Sequence, residues 1–204
     1  MNKNASETRS PFGFLIIALS IVGGLLVVAL IWARIFVFEP FRMTSDSMYP
    51  TLQKGAYMLI DKRTGSMRKA KSRPIASIDR GDIVAYSMGD SVYLHRVIGL
   101  PGEHIALKGR ELTINRGAVP VHVELGARTQ VGRLEYQLAT ETIEDQQATI
   151  AWITARPSLD FEATVPEDHF FVLGDNRDNA RDSRFTGFVS KDEIVGKLVW
   201  VLKL

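Results

Sequence analysis

Three short stretches of this chain contain side chains that could carry out chemistry together. Residues 45–52 (SDSMYPTL) place two serines beside a Tyr-Pro turn, residues 93–97 (YLHRV) contain a histidine, and residues 174–184 (GDNRDNARDSR) contain three aspartates. A serine hydroxyl is barely ionised at neutral pH, whereas a neutral imidazole, with an unperturbed pKa of about 6.5, can take its proton. A nucleophile, a base and carboxylates that could orient the base are the parts of a Ser/His/Asp site for acyl transfer.

Each stretch has a simpler interpretation when it is considered alone. Serines in turns mostly hydrogen-bond the neighbouring backbone. A histidine in a strand is usually satisfied by one hydrogen bond, and Asp/Asn/Arg clusters that follow a strand usually form turn networks. The catalytic interpretation therefore rests on finding all three stretches in one chain.

The composition narrows the class of protein. The chain has 204 residues, no cysteine and a formal net charge of +2, with charges of both signs spread along its length. The lack of cysteine excludes disulfides, a cysteine nucleophile and thiolate metal sites. The four histidines show no close metal-ligand spacing, so we expect neither a metal nor another cofactor. The weak net charge predicts no nucleic-acid partner.

Residues 12–33 form a run of 22 residues without a charge. As a helix this run would span about 33 Å at roughly 1.5 Å per residue, which matches a bilayer core of about 30 Å. A cleaved signal peptide usually has a shorter apolar region, and a buried core helix is rarely apolar on every side for this length. We therefore predict a single transmembrane anchor, with Trp32, Phe36 and Phe38 at the membrane interface. Basic residues flank both ends of the run, so their count does not fix the orientation.

The remaining chain, about 165 residues, is long enough for one domain with a core. Short apolar runs rich in β-branched and aromatic residues predict a mainly β domain. The predicted strands and hairpins cover residues 55–61, 83–86, 91–100, several runs within 103–166, 169–173 and 194–204. Residues 62–73 carry six basic side chains and no acidic one, so they form either an exposed loop or a surface that contacts anionic lipid headgroups.

Taken in order, these features resemble the type I signal peptidases, the membrane-anchored serine peptidases that remove signal peptides from exported proteins. The resemblance covers nearly the whole chain: an apolar anchor, then SDSMYPTL at 45–52, RGDIV at 80–84, YLHRVIGLPGE at 93–103, and GDNRDN, DSR and GFV within 174–189. It implies a mainly β fold, with a single N-terminal transmembrane helix followed by a β-rich catalytic domain that contains an inserted β subdomain. We expect a cytoplasmic tail at 1–11, an anchor at 12–38 and a peptidase domain at 39–204, with the inserted β region at about 103–166.

The resemblance also implies roles for individual residues. Ser47 falls at the position of the nucleophile, and the Ser45 side chain with the Ser47 backbone N–H falls at the oxyanion hole. The general base falls at His95, where the bacterial pattern usually has lysine and the enzymes of the eukaryotic reticulum and archaea have histidine. Ala180 stands where the bacterial pattern has a serine that helps to hold the lysine. The two departures agree, because without a lysine that serine is dispensable.

A catalytic imidazole needs a partner on its second nitrogen to fix its tautomer. We expect this partner to be Asp182, which lies in the segment where the histidine-type enzymes place their third residue. Asp175 is the second candidate, although an aspartate in a Gly-Asp-Asn turn most often caps its own backbone. The alternative for Asp182 is a purely structural ion pair with Arg184.

The family further implies cleavage after small residues in an Ala-x-Ala pattern. The expected partners are secretory precursor proteins and membrane lipid, and the expected location is the cytoplasmic (inner) membrane with the catalytic domain on the extracytoplasmic side. The positions that would line the substrate pockets, each of which could equally belong to the core, are Met48, Leu52, Tyr93 and Leu94.

Two other functions are compatible with the sequence. One is a specialised maturation peptidase with a narrow substrate set. The other is a catalytically silent homologue that binds exported chains, although the presence of Ser47 weighs against it.

Overall fold

The computed structural model describes residues 11–64 and 77–202, and the chain divides into two compact units, Met1–Phe38 and Glu39–Leu204. The first unit contains helix α1 (Pro11–Phe36). A helix satisfies its backbone polar groups internally, which suits a run whose side chains offer them no partners. The segment Phe12–Arg34 is long and apolar enough to cross a membrane, and its large apolar side chains are exposed. The predicted apolar helix is therefore confirmed.

Strands dominate the rest of the described chain. In chain order they are β1 (Phe38–Arg42), β2 (Tyr57–Asp61), β3 (Ile83–Met88), β4 (Ser91–Gly99), β5 (His104–Lys108), β6 (Glu111–Ile114), β7 (Val121–Val131), β8 (Leu134–Ile143), β9 (Gln146–Ile153), β10 (Phe161–Thr164), β11 (His169–Leu173), β12 (Val189–Ser190) and β13 (Ile194–Leu202). One short helix, α2 (Ser183–Thr186), lies between β11 and β12. The mainly β prediction is confirmed, and the individually predicted strands are present with small shifts at their ends.

Seven strands form one sheet in the order β1-β2-β13-β3-β4-β11-β12. Because successive side chains of a strand point to opposite faces, a strand that is covered on both sides contributes to two separate clusters. Ile83 and Ala85 of β3 pack with Leu94 on one face, whereas Val84 and Tyr86 pack on the other. The first cluster receives the turn that carries the predicted nucleophile, and the second surrounds the predicted base.

The hairpin of β3 and β4 fixes which side chains meet on the second face. Gly89 adopts a positive φ of 59°, which a tight two-residue turn requires, and the ladder then pairs Tyr86 with Tyr93 and Val84 with His95. Residues paired across a ladder share a face, and so do residues two apart on one strand. Tyr86, Tyr93 and His95 therefore lie on the same face, with Tyr86 diagonal to His95.

The chain between β4 and β11 builds two further sheets of three strands, in the orders β10-β5-β6 and β7-β8-β9. The first of these packs its apolar side chains against the end of the large sheet, where Ile98 of β4 meets Phe171 and Leu173 of β11. This is the region that the sequence assigned to an inserted β subdomain at about 103–166.

The predicted basic surface at 62–73 falls largely outside the described residues, which stop at residue 64 and resume at residue 77. Its first two side chains are described. Lys62 pairs with Glu39 over 3.2 Å, and Arg63 pairs with Asp61 over 2.6 Å.

Candidate active site

The turn that carries Ser47 is anchored by the two buried side chains that follow it. Met48 and Leu52 lie in the apolar cluster on one face of the large sheet, and the amide of Leu52 donates to the carbonyl of Met48 over 2.9 Å. The peptide bond between Tyr49 and Pro50 is cis. Burial of Met48 leaves the preceding Ser47 half-exposed, with its hydroxyl 3.1 Å from that of Ser45.

The loop after β11 fixes the other side of this turn. The backbone N–H of Asn176 donates to the carbonyl of Ser47 over 3.0 Å, and its side-chain amide donates to the carbonyl of Asp46 over 3.0 Å. The hydroxyl of Thr51 donates to the carboxylate of Asp175 over 2.5 Å. The GDN stretch is therefore a clamp that sets the position of the nucleophile turn.

Asp175 serves this clamp through hydrogen bonds with Arg96 and Thr51. Its carboxylate is fully buried and receives two hydrogen bonds from the guanidinium of Arg96, at 2.8 and 2.6 Å, besides the one from Thr51. Arg96 and His95 are neighbours on β4, so their side chains leave the strand on opposite faces. The carboxylate of the second candidate for orienting His95 is thus engaged by Arg96 and Thr51.

His95 is buried, with 1% of its surface exposed, on the same face as Tyr86. Its Nδ1 lies 2.8 Å from the hydroxyl oxygen of Tyr86, and the two ring centroids are 5.8 Å apart. Burial lowers the pKa of His95 to about 4, because an apolar environment disfavours the imidazolium. The negative charges of Asp182 and Asp175 oppose this shift, and the positive charge of Arg184 adds to it.

Ser47 and His95 come together beside Gly174, the first residue after β11. A Cβ on this glycine would lie 2.6 Å from the carbonyl oxygen of Ser47 and 3.5 Å from Cδ2 of His95, and it would overlap the Cβ of Ala180. Only a residue without a side chain allows this approach. The structure thus gathers the predicted nucleophile, the predicted base and Ala180 around one point.

Asp182 lies close to this point, but its hydrogen-bond partners are residues other than His95. It is completely buried, it caps α2, and it accepts from the guanidinium of Arg184 over 2.8 Å at each oxygen and from the amide of Gly174 over 3.0 Å. Among the described residues, the side chain that hydrogen-bonds Nδ1 of His95 is Tyr86. The ion pair with Arg184, which the sequence left open as the alternative, is the contact that Asp182 makes.

This geometry predicts a structural effect for Asp182→Asn. The neutral side chain would leave the buried guanidinium of Arg184 without its counter-charge, and breaking a buried pair costs about 3 kcal/mol or more. We expect the free energy of unfolding, measured by denaturant titration, to fall by about that amount. Asp192→Asn, which changes an exposed aspartate, is the matched control. An unchanged unfolding free energy together with a large fall in kcat would instead assign the orienting role to Asp182.

The residues predicted to line substrate pockets are mostly in the core. Met48, Leu52 and Leu94 are buried in one apolar cluster, whereas Tyr93 is half-buried beside Tyr86. Core membership was the alternative left open for each of them. The pocket role of all four stays a prediction.

A cavity of about 860 Å³ lies at the far end of the nucleophile turn. Its lining includes Pro50, Thr51, Arg96 and Leu198, but among the described residues neither Ser47 nor His95 contributes to it. It therefore does not mark the place where Ser47 and His95 meet.

Several residues that build the site were not among the sequence candidates. Thr51, Arg96 and Asn176 position the nucleophile turn, and Tyr86 contacts His95. The sequence did contain information that indicates Tyr86. A two-residue turn at 89–90 fixes the register of the β3–β4 hairpin, and this register places Tyr86 on the same face of the sheet as His95. The partners of Arg96 and Asn176 lie far away in the chain, so spacing alone could not identify them.

The part of the chain that the structure describes contains no set of side chains arranged to bind a metal ion. Residues 11–64 and 77–202 contain no group of three or more His, Asp and Glu side chains arranged to hold an ion. The expectation that the protein needs no metal or cofactor stays a prediction.

The sequence is similar to proteins of known name. Signal peptidase I of Pseudomonas aeruginosa is 32% identical over 195 residues, which covers 82% of this chain and 66% of that protein. Signal peptidase I S of Bacillus subtilis is 33% identical over 172 residues, which covers 83% of this chain and 79% of that protein. The chain thus spans just under two thirds of the Pseudomonas relative. A crystal structure of a signal peptidase I from Enterococcus faecalis V583 aligns with 62% of this chain and all of that chain, with 26% identity and a TM-score of 0.40.

The family assignment rests on nearly the full length of the chain. Residues 15–203 match the family described as "Signal peptidase, peptidase S26", a span that includes the nucleophile turn, the His95 strand and the clamp loop. The chain therefore belongs to the signal peptidase family, peptidase S26.

Proposed function

We propose that this protein is a membrane-anchored serine endopeptidase that removes N-terminal signal peptides from exported precursor proteins. The observation that carries the proposal is that the Ser47 carbonyl oxygen and Cδ2 of His95 both border Gly174, with the Ser45 hydroxyl 3.1 Å from that of Ser47. A half-exposed serine and a buried imidazole that border the same glycine have the two properties that acyl transfer needs, access for the substrate and a base in the same region. Family membership and the relatives named signal peptidase I support the same conclusion.

The proposed reaction begins with transfer of the Ser47 hydroxyl proton to Nε2 of His95, the ring nitrogen on the side away from Tyr86. The Ser47 oxygen attacks the scissile carbonyl, whose oxygen becomes an oxyanion held by the Ser45 hydroxyl and the backbone N–H of Ser47. When the C–N bond breaks, His95 gives the proton to the departing amine, and the signal peptide stays on Ser47 as an ester. Water then attacks the ester with the same proton transfers, which frees the signal peptide and restores Ser47. No metal or cofactor takes part.

Cleavage of a defined precursor tests this function. The full-length protein in detergent should cut a secretory precursor after its Ala-x-Ala sequence, as read from the N-terminal sequence of the product. A precursor with a bulky residue in place of the last alanine should stay intact. Retention of the precursor without cleavage would instead favour a silent binding homologue, and cleavage of only one precursor from a varied panel would favour a specialised maturation peptidase.

We further propose that α1 anchors the protein in the cytoplasmic membrane, with residues 1–11 inside, 12–38 as the anchor and the peptidase domain 39–204 outside. The exposed apolar side chains along α1 support contact with lipid. The orientation follows from the proposed substrates, because signal peptides are removed from precursors that are being exported across the membrane. The region 103–166 would be an insertion within the peptidase domain, supported by its two separate sheets.

Protease protection tests the orientation. In sealed inverted vesicles, added protease should leave residues 39–204 intact, because the domain would face the vesicle lumen. Digestion should occur once detergent opens the vesicles, which shows that the domain itself can be cut. Digestion before detergent is added would refute the orientation.

A further inference from the structure

The contact between Tyr86 and His95 has no counterpart among the catalytic roles assigned so far. The hydroxyl oxygen of Tyr86 lies 2.8 Å from Nδ1 of His95, and both side chains are 1% exposed. The contact is fixed by the register of the hairpin, which sets Tyr86 diagonal to His95 on one face. The ring of Tyr86 is held in turn by Tyr93, whose centroid lies 5.9 Å away.

The carboxylates near His95 are committed to other partners. Asp182 binds Arg184 and the amide of Gly174, and Asp175 binds Arg96 and Thr51. Within the described residues, Tyr86 is thus the side chain that hydrogen-bonds the imidazole. The 2.8 Å separation fits a hydrogen bond in either direction, from Nδ1–H to the phenol oxygen or from the phenol to an unprotonated Nδ1, so the tautomer of His95 decides which group donates.

We propose that Tyr86 is a positioning residue that accepts a hydrogen bond from Nδ1–H of His95 and so leaves Nε2 free to take the proton of Ser47. The inference rests on the proposed function, because the tautomer matters only if His95 is the base. In the opposite tautomer the phenol would donate to Nδ1 and Nε2 would carry a hydrogen, so the ring could not accept the serine proton. During attack the imidazolium keeps its Nδ1–H on Tyr86, which places a neutral phenol where other serine peptidases have a carboxylate.

The state of the phenol is consistent with this role. Burial raises the pKa of Tyr86 well above its usual value, so the hydroxyl is neutral and offers lone pairs without a full charge. Hydrogen bonds to a charged group are stronger than those between neutral groups. The contact should therefore strengthen as His95 becomes positive, which is the change that assists the attack.

The first test is the tautomer in the wild-type protein. The full chain is prepared in detergent with ¹⁵N-labelled histidine, and the His95 signals are identified by their loss in His95→Gln. At neutral pH we expect a protonated Nδ1 and an unprotonated Nε2. A protonated Nε2 as the main form would overturn the inference, and this result does not depend on any variant being stable.

The second test is Tyr86→Phe, which keeps the ring and removes only the acceptor. We expect kcat for precursor cleavage to fall by roughly 10- to 100-fold, the range for loss of one hydrogen bond to a charged group, with KM unchanged. The Nδ1–H form should also lose population in the nitrogen spectrum. Tyr136→Phe, which removes a hydroxyl from another buried tyrosine in β8, is the matched control and should leave both readouts unchanged.

The outcomes separate this inference from the proposed function. Unchanged kcat and an unchanged tautomer in Tyr86→Phe, alongside inactivity of Ser47→Ala, would overturn the role of Tyr86 and leave the peptidase intact. Cleavage that continues in Ser47→Ala would overturn the proposed function itself. A fall in kcat with the tautomer shift, at an unfolding temperature close to that of the control, supports Tyr86 as the residue that positions His95.

Discussion

Replacement of Ser47 by alanine should reduce kcat for precursor cleavage by about 10⁶-fold, the loss seen when a serine peptidase loses its nucleophile. The fold should be unaffected, because the contacts that hold the turn are made by the backbone and by neighbouring side chains. The carbonyl of Ser47 still accepts from Asn176, and Met48 and Leu52 still fill the apolar cluster. Single-turnover cleavage and thermal unfolding of the same preparation measure the two quantities.

Two other serines provide graded comparisons for this result. Ser45→Ala removes the proposed side-chain donor of the oxyanion hole and should cost about 10²- to 10³-fold in kcat. Ser87→Ala removes a hydroxyl that only donates to the carbonyl of Glu193 over 3.3 Å, so its kcat should match the wild type. If Ser47→Ala kept more activity than Ser45→Ala, the nucleophile would have to be sought elsewhere in the chain.

The nucleophile turn could be predicted from the sequence because its determinants are local. A tyrosine before a proline and alternating small and apolar residues define the turn within residues 45–52. The same residues did not decide between pocket and core for Met48 and Leu52, since an apolar side chain beside a surface turn suits either. The choice depended on what covers the turn, and strands far away in the sequence, such as the one that carries Ile83, provide that cover.

The partner of His95 could not be predicted for a related reason. Three aspartates lie within 174–184, and which of them faces the imidazole depends on the arginines that compete for each carboxylate. The side chain of Arg96 leaves β4 on the face opposite to His95 and pairs with Asp175, while Arg184 pairs with Asp182 within its own turn. The remaining group was a tyrosine, which lies outside the Ser/His/Asp pattern.

Replacement of His95 by glutamine should lower kcat by about 10⁴-fold or more, because no other group would accept the serine proton. Glutamine is close to histidine in size, so the hairpin should keep its register and Tyr86 should retain its place. An activity within tenfold of the wild type would show that His95 is not the base. His104→Gln, which changes a half-exposed histidine that pairs with Glu162 in a separate sheet, is the matched control.

The pH dependence of kcat/KM should reflect the lowered pKa of the buried His95. Burial lowers the pKa of His95 to about 4, so the imidazole stays neutral and able to accept a proton well below the usual histidine value of 6.5. The acid limb of kcat/KM reports this pKa in the free enzyme, and we expect it near pH 4 to 5. A free lysine, with a pKa of about 10.4, would need a far larger depression to act at neutral pH.

The free energy of unfolding should also depend on the protonation of His95, which provides an independent check. Below pH 6.5 the unfolded chain protonates His95 while the folded chain does not, until the pH reaches the folded pKa of about 4. The free energy of unfolding should therefore fall by about 3 kcal/mol from this group as the pH is lowered through that window, and His95→Gln should lack this contribution. An acid limb near pH 6.5, together with a pH–stability profile that His95→Gln leaves unaltered, would show that His95 titrates as an ordinary exposed histidine. That result would show that burial beside Tyr86 does not lower the pKa of His95.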